Sequence, residues 1–338
     1  MRFSINGKEI GDGAPAYVIA EVGVNHAGNL DVAKSLILSA KNAGADCAKF
    51  QAFRAKDLVS EESAQFELLS RLELSPESLR KLKEFCDTNE IQFLASVFDC
   101  ESLEYLLLLG VPAVKIPSGE IVNENLLIAA AKSKLGLFVS TGMAKMDEVK
   151  SAASLLADRG ALKRTVFLHC VSAYPAPVCE LNLRAIPAMR SVLHTLLGIS
   201  DHTTSVVTPA SAVSLGACVI EKHLTFSRTA EGPDHRASLT PAKFSLMVRN
   251  IREVESALGD GRKRLMNCEK NLRASSRRGV YAARDIGVGE IIKETDLILR
   301  RPDRTGVRIH DIVEKQALHK IQKGEPITRS SVGAASLL

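Results

Sequence analysis

From Ala16 onward the chain settles into a repeating pattern: a short apolar run, a polar residue at its end, then a longer stretch of helical period. Eight such runs can be counted, at 17–21 (YVIAE), 45–51 (ADCAKFQ), 91–97 (IQFLASV), 113–118 (AVKIPS), 135–141 (LGLFVST), 165–170 (TVFLHC), 196–201 (LLGISD) and 218–223 (CVIEKH). Short apolar runs bounded in this way predict buried strands, and strands alternating with amphipathic segments predict parallel βαβ units. The segment 75–88 shows how a helix opens here, with Ser75 as N-cap, Pro76 in the first turn and Glu77 beside it. Eight units in one domain predict an α/β fold of the closed (β/α)8, or TIM-barrel, type. Ahead of it, residues 1–16 predict a hairpin, Phe3–Ile5 and Lys8–Ile10 around an Asn6-Gly7 turn, capping the barrel floor. The pattern breaks after Ala257. The chain therefore divides into a barrel domain over 1–258, a charged linker without apolar periodicity over 259–275, and a small β-rich module with tight turns over 276–338.

In such a barrel the carboxyl ends of all strands converge on one mouth, and chemistry sits there. The residues this places at the mouth are Glu21, Lys49, Gln51, Ser96, Lys115, Ser118, Glu120, Ser140, Ser172, Ser200, His202, Glu221 and His223. One serine alone, such as Ser140, reads equally well as a helix cap; a whole ring of such groups does not. Lys49 and Lys115 interrupt apolar strands, and a buried ammonium without a partner is costly, so each calls for an anion. With Ser96, Ser118, Ser172 and Ser200 nearby, a substrate bearing phosphate and carboxylate fits. Ion pairing with Glu21 or Glu120 is the structural alternative, and the two can coexist. Within 196–225, two strands and a crossover bring His202 and His223 to adjacent strand ends, about 4.8 Å apart in a parallel sheet. That is half of a metal site, or, taken alone, two histidines satisfied by hydrogen bonds.

Composition narrows the class. With 338 residues, 46% apolar and 25% charged, the chain has the profile of a globular protein. No apolar run is long enough to cross a bilayer and the N-terminal stretch lacks the apolar core of a signal peptide, so a cytoplasmic protein without membrane contact is expected. Seven cysteines, scattered and never spaced C-x-x-C, argue against a disulfide framework or zinc knuckle and are read as small apolar residues. Residues 259–338 hold 17 Lys+Arg against 10 Asp+Glu, a net +7 that leaves −2 on the remainder of the +5 chain. Tyr281 is the one aromatic residue of that segment, which removes the stacking platform a single-strand binder needs. Nucleic acid is not expected as a partner; an anionic small molecule is.

Nine strings in order then carry a resemblance over essentially the whole chain: AEVGVNHAG (20–28), KFQ (49–51), KIPSGE (115–120), STGM (140–143), LHCVSAYPAP (168–177), GISDHT (198–203), IEKH (220–223), EGPDHRASL (231–239), and ARDIGVGEII with RRP (300–302). They resemble the sialic acid synthases, which condense phosphoenolpyruvate with an N-acylated hexosamine. The resemblance implies that His202 and His223 hold a divalent ion, manganese or, in its place, magnesium. It implies further that Lys49, Ser96 and Lys115 anchor the phosphoenolpyruvate carboxylate and that Ser118, Ser172 and Ser200 take its phosphate, with Ser140 beside them. Glu21, Gln51, Tyr174 and Asp234 match positions that bind the open-chain sugar, while Glu21, Glu120 and Glu221 are the carboxylates near the reacting atoms. The tail resembles the antifreeze-like (SAF) module that ends this family, which reaches across a homodimer in a domain-swapped arrangement so that an arginine matching Arg301 touches the N-acyl group.

The first expectation for the product is N-acetylneuraminate, made from N-acetylmannosamine; the alternative is N,N'-diacetyllegionaminate from a diacetamido hexose, with pseudaminate synthesis further off. A reading of another class, a non-catalytic carbohydrate-binding barrel, gives no reason for imidazoles beside an anion pocket. Departures from the family pattern are Ser172 in place of an asparagine, a shortened stretch between Leu58 and Leu68, and RPDRTGVR after the last strand motif. His26, His169 and His235 read as structural, and His194, His310 and His319 as surface residues.

Overall fold

The structure is a computed structural model that describes residues 1–334; the last four residues of the module expected over 276–338 lie outside the described residues. Strands β1 (Arg2–Ile5) and β2 (Lys8–Gly11) form the N-terminal hairpin, with Phe3 opposite Ile10. Eight strands follow: β3 (Tyr17–Gly23), β4 (Cys47–Ala52), β5 (Gln92–Val97), β6 (Ala113–Ile116), β7 (Gly136–Ser140), β8 (Thr165–Cys170), β9 (Leu196–Asp201) and β10 (Val219–His223). They close in sequence order, all parallel, with β10 pairing β3 so that His223 stands beside Glu21. Each of the eight apolar runs is a strand, within one or two residues of its expected ends. The helices of this unit are α1 (Leu30–Asn42), α2 (Ala55–Leu58), α3 (Phe66–Leu72), α4 (Pro76–Thr88), α5 (Cys100–Leu108), α6 (Glu124–Lys132), α7 (Met146–Asp158), α8 (Ala185–Leu193), α9 (Thr208–Ser214) and α10 (Pro241–Leu258). Helix α4 opens on the Ser75 hydroxyl, which accepts the Ser78 N–H at 3.1 Å.

Alternation along each strand builds two separate cores. Outward positions such as Val18, Ala20, Phe50, Phe93, Val139, Phe167 and Ile220 pack under the helices. Inward positions Tyr17, Ile19, Cys47, Leu94, Phe138, Leu168 and Val219 fill the lower lumen, where Ile5 and Ile10 of the hairpin join them. The hairpin is thus the plug of the barrel floor. Apolar layers below leave the last inward position of each strand, at the upper end, to carry polar groups.

The chain divides into two compact units, Met1–Gly259 and Asp260–Leu338. In the second, β11 (Gly279–Ala282) pairs β12 (Leu297–Arg300), and β13 (Gln316–Ala317) pairs β14 (Val332–Gly333), both antiparallel. Val280, Ile286, Ile292, Ile312, Ile321 and Ile327 make its small core. The stretch 259–275, expected as an unstructured charged linker, carries a turn at Asn267–Glu269 and the start of helix α11 (Lys270–Ser276). The Glu269 carboxylate accepts the Met266 N–H at 2.9 Å, seeding a helix that buries none of its residues. Without a buried face it has no apolar period to read.

Candidate active site

A cavity of about 590 Å³ opens at the carboxyl ends of the strands and gathers nearly every candidate. Glu21, Lys49, Gln51, Ser96, Lys115, Ser118, Ser140, Ser172, Tyr174, Ser200, His202, Glu221, His223 and Asp234 all line it. Two candidates do not. Glu120 sits in the one-turn helix Ser118–Val122, where its carboxylate accepts from Asn123 Nδ2 at 2.7 Å, and it is not on the cavity wall. Arg301 belongs to the second unit, exposed just past β12.

Four charges occupy the lumen. Lys49 Nζ is 2.8 Å from Glu221 Oε2 and 3.4 Å from Glu21 Oε2, while Lys115 Nζ is 3.5 Å from Glu221 Oε1. All four groups are at most 3% exposed. The expected ion pairing exists, with Glu221 rather than Glu120 as the shared partner, because β10 closes the ring beside Glu21. Burial alone would raise the Glu221 carboxyl; Lys115, Lys49 and the Ser200 hydroxyl, which donates to Oε1 at 2.7 Å, outweigh it and hold Glu221 well below the usual carboxylate range. Glu21 goes the other way: burial and the neighbouring Glu221 charge, only partly offset by Lys49, raise it to about 7. Burial brings Lys115 down to about 8. Two carboxylates of opposite tendency in one site mark an acid and a permanent anion. Ser200, expected as a phosphate donor, directs its hydroxyl to Glu221 instead.

The remaining hydroxyls surround a glycine. Ser118 Oγ accepts the Gly142 N–H at 3.1 Å, and a Cβ built on Gly142 would lie 2.1 Å from Ser172 Oγ and 2.8 Å from Ser118 Oγ. Only glycine lets backbone N–H and both hydroxyls share that cradle. Ser140, 1% exposed, contributes a buried hydroxyl that has no hydrogen-bond partner among the described residues.

Across the mouth, the His202 and His223 rings lie with centroids 5.4 Å apart. The Val171 carbonyl accepts from His202 Nδ1 at 2.9 Å, which fixes the orientation of that ring. His223 Nδ1 is buried without a hydrogen-bond partner, 3.6 Å from Asp234 Oδ2, and burial together with His202 and Lys49 keeps this ring neutral. Two imidazoles, one oriented by a backbone carbonyl and one left unsatisfied, fit a divalent ion that keeps further positions open. No group of three or more His, Cys, Asp or Glu side chains forms a closed cage among the described residues. Tyr174 stacks on His202 at 4.2 Å. Gln51 Nε2 donates to Glu21 Oε1 at 3.2 Å.

Sequence reasoning missed several residues. Asp201 and Lys222, one position out of phase with the lumen, are paired in the register of β9 and β10 and lie 3.0 Å apart with both side chains fully buried. Cys170, read as a small apolar residue, faces the cavity with Sγ 3.8 Å from His202 Nδ1; Cys179 and Cys268 are exposed. Its position two residues past lumenal Leu168 was the available signal. Val24, Gln65, Leu69, Phe98 and Met143 also line the mouth. Gln65 and Leu69 come from the shortened stretch and α3, so that segment still supplies a wall. His26, His169 and His235 are structural, bonded to Gly28 N, Leu181 O and Thr225 Oγ1. His194, His310 and His319 are exposed.

Fold and mouth together define the class: a (β/α)8 synthase whose anion pocket faces a pair of metal-competent imidazoles. The NeuB family profile matches residues 36–263 and the SAF domain profile residues 277–333. The chain belongs to the NeuB family, and it is an enzyme that condenses phosphoenolpyruvate with a sugar to make a nonulosonic acid. It is 40% identical over 326 residues to the N,N'-diacetyllegionaminic acid synthase of Legionella pneumophila, covering 91% of each chain. Against the human N-acetylneuraminate-9-phosphate synthase the identity is 33% over 343 residues, covering 96% of this chain and 95% of the other. The solved N-acetylneuraminic acid synthetase of Leptospira borgpetersenii, in complex with citrate, superposes with a TM-score of 0.77 at 33% identity, over 80% of this chain and 95% of that one.

Proposed function

We propose that this chain joins phosphoenolpyruvate to an open-chain diacetamido hexose, adding water and releasing phosphate, to give an N,N'-diacetyllegionaminate. Its greater identity to the legionaminic acid synthase than to the N-acetylneuraminate-9-phosphate synthase, 40% against 33%, supports a legionaminate product over the N-acetylneuraminate that stood first on sequence. The observation that carries the reaction is the pair of buried ammonium groups, Lys49 and Lys115, opposite the His202 and His223 rings in one cavity.

Lys49 and Lys115 bind the substrate carboxylate, and the cradle of Ser118, Ser172, Ser140 and the Gly142 N–H takes the phosphate. His202 and His223 hold a divalent ion, manganese or magnesium, which when bound polarises the sugar's aldehyde. Gln51 and Asp234 position the sugar hydroxyls, and Tyr174 walls that side. The methylene carbon of phosphoenolpyruvate attacks the aldehyde carbon, and the new alkoxide needs a proton. Glu21, with its carboxyl near 7, supplies it. Glu221, held anionic by both lysines, is a poor base and a good electrostatic partner for the cationic carbon that water then attacks. The attacking water gives a proton to the Glu21 carboxylate, restoring the acid, and the tetrahedral intermediate collapses to the ketone as its carbon–oxygen bond to phosphate breaks, the hydroxyl proton leaving with the phosphate.

Exposed apolar side chains on successive loops of the mouth, Met143, Tyr174, Val178, Val207 and Phe226, support a homodimer in which a partner copy's C-terminal unit, with Arg301, covers the opening. A cytoplasmic location accords with the reaction; among the described residues no helix is long and apolar enough to cross a membrane. The test is incubation with phosphoenolpyruvate and manganese against a panel of N-acetylmannosamine and diacetamido hexoses, reading phosphate release and product mass. Turnover confined to the diacetamido sugars is expected; silence with every acceptor refutes the reading.

A further inference from the structure

The two imidazoles of the mouth are supported unequally. His202 is held on three sides: Nδ1 donates to the Val171 carbonyl at 2.9 Å, Cys170 Sγ lies 3.8 Å from the same nitrogen, and the Tyr174 ring covers its face with centroids 4.2 Å and planes 30° apart. His223 has no comparable support among the described residues. Its Nδ1 is buried without a hydrogen-bond partner, and Asp234 Oδ2, at 3.6 Å, is too far to accept from it. What meets this ring is the same tyrosine, edge on, with centroids 5.8 Å and planes 86° apart. Tyr174 therefore packs on both imidazoles, whose own centroids are 5.4 Å apart, from the loop that follows β8. Its outer side is half exposed.

A pair of side chains chelates an ion well only when both already face one point, because each rotor stopped on binding subtracts from the affinity. Stacking blocks the face across which the His202 ring would turn, and the edge contact limits the ring that no hydrogen bond holds. We infer that Tyr174 is a positioning residue for the metal pair: it keeps the His202 and His223 rings convergent and so sets the affinity for the divalent ion. The inference rests on the reading of these histidines as metal ligands and deepens it. Partners that orient metal-binding imidazoles contribute about tenfold to a hundredfold in metal affinity. Both contacts are ring to ring, so the aromatic ring of Tyr174, rather than its hydroxyl, does the positioning.

The test measures manganese binding to the full chain, first stripped of metal with a chelator, through the electron paramagnetic resonance signal of free manganese. Neither sugar nor phosphoenolpyruvate is present, which keeps any contact between Tyr174 and substrate out of the measurement. His202→Ala sets the level of adventitious binding. Tyr174→Leu should weaken Kd about tenfold or more, and Tyr174→Phe, which retains the ring, should stay within about threefold of wild type. The titration reads Kd separately from the number of sites, so a partly unfolded preparation lowers the count and leaves Kd unmoved. A Tyr174→Leu chain that binds as tightly as wild type, or a Tyr174→Phe chain as weak as the leucine variant, overturns the inference while leaving the metal reading intact. A wild type that binds no more manganese than His202→Ala overturns the metal reading itself.

Discussion

Removing one member of the buried Asp201–Lys222 pair should cost far more stability than removing a charge from the barrel's surface. Both side chains are fully buried. Asp201 accepts the Thr203 N–H at 2.7 Å and the Thr208 hydroxyl at 2.6 Å, and Lys222 donates to Thr203 O at 2.5 Å and Thr203 Oγ1 at 3.2 Å. Loss of either partner strands the other charge out of water, a cost of about 3–5 kcal/mol. At about 2–4 °C per kcal/mol for a domain of this size, the expected fall in Tm is about 6–20 °C for Asp201→Asn or Lys222→Met. The paired replacement Asp201→Leu with Lys222→Met should regain part of that loss, because it removes the stranded charge but leaves the Thr203 N–H and carbonyl without those partners. Catalysis should not return with it. The network fixes the turn after β9, where His202 lies between Asp201 and Thr203, and the double variant leaves that turn unheld. Differential scanning calorimetry and steady-state turnover across a manganese titration measure the two effects. A drop below about 2 °C in both single variants would refute the account of the pair, and a double variant with full turnover at low manganese would refute its positioning role.

Glu21, raised to about 7, gives a pH limb: kcat/KM should fall as pH rises through about 7 while the acid loses its proton, and Glu21→Gln should remove the limb and lower turnover about 10²–10⁴-fold. The same shift carries a stability sign, since the folded chain keeps a proton that the unfolded chain releases between 4.5 and about 7; rising pH in that window destabilises, and Glu21→Gln should flatten that part of a Tm-against-pH curve. Lys115, brought down to about 8, should make capture of phosphoenolpyruvate weaken as pH rises past that point, seen as a rising KM. Gly142→Ala pushes a methyl into Ser172 and Ser118, so KM for phosphoenolpyruvate should rise about tenfold or more, roughly the loss of one or two hydrogen bonds to a charged group, with Tm little changed. Deletion of residues 276–338 should leave a folded barrel by circular dichroism, without condensation activity; an active truncated monomer contradicts the covered-mouth dimer.

Much of this was legible in the residues because strand ends announce themselves. Most of the apolar runs close on or next to a polar group, so Lys49, Lys115, His202 and His223 could be placed at one mouth before any coordinates. What stayed hidden depends on closure and phase. Glu221 as the partner of both lysines follows from β10 lying against β3, a contact between positions some two hundred residues apart. Asp201 and Lys222 carry no periodic signal, since a polar residue on the outward phase reads as part of the same motif as its inward neighbours. Glu120 looked like a site carboxylate because it ends a strand motif, yet the chain turns immediately into a short helix and Asn123 takes it. The Leu69 wall comes from a helix between strands, beyond the reach of any rule about strand ends.

Pairing of the last strand with the first also governs how the enzyme comes into being. A nascent chain that has emerged only through β9 has one carboxylate, Glu21, to pair with Lys49 and none of the ion-pair partners of Lys115, since neither Glu221 nor His223 has yet arrived. Such a chain is an unbalanced cationic cup with half an imidazole pair. The anion pocket is therefore complete only at ring closure, so it forms in one step rather than growing with length.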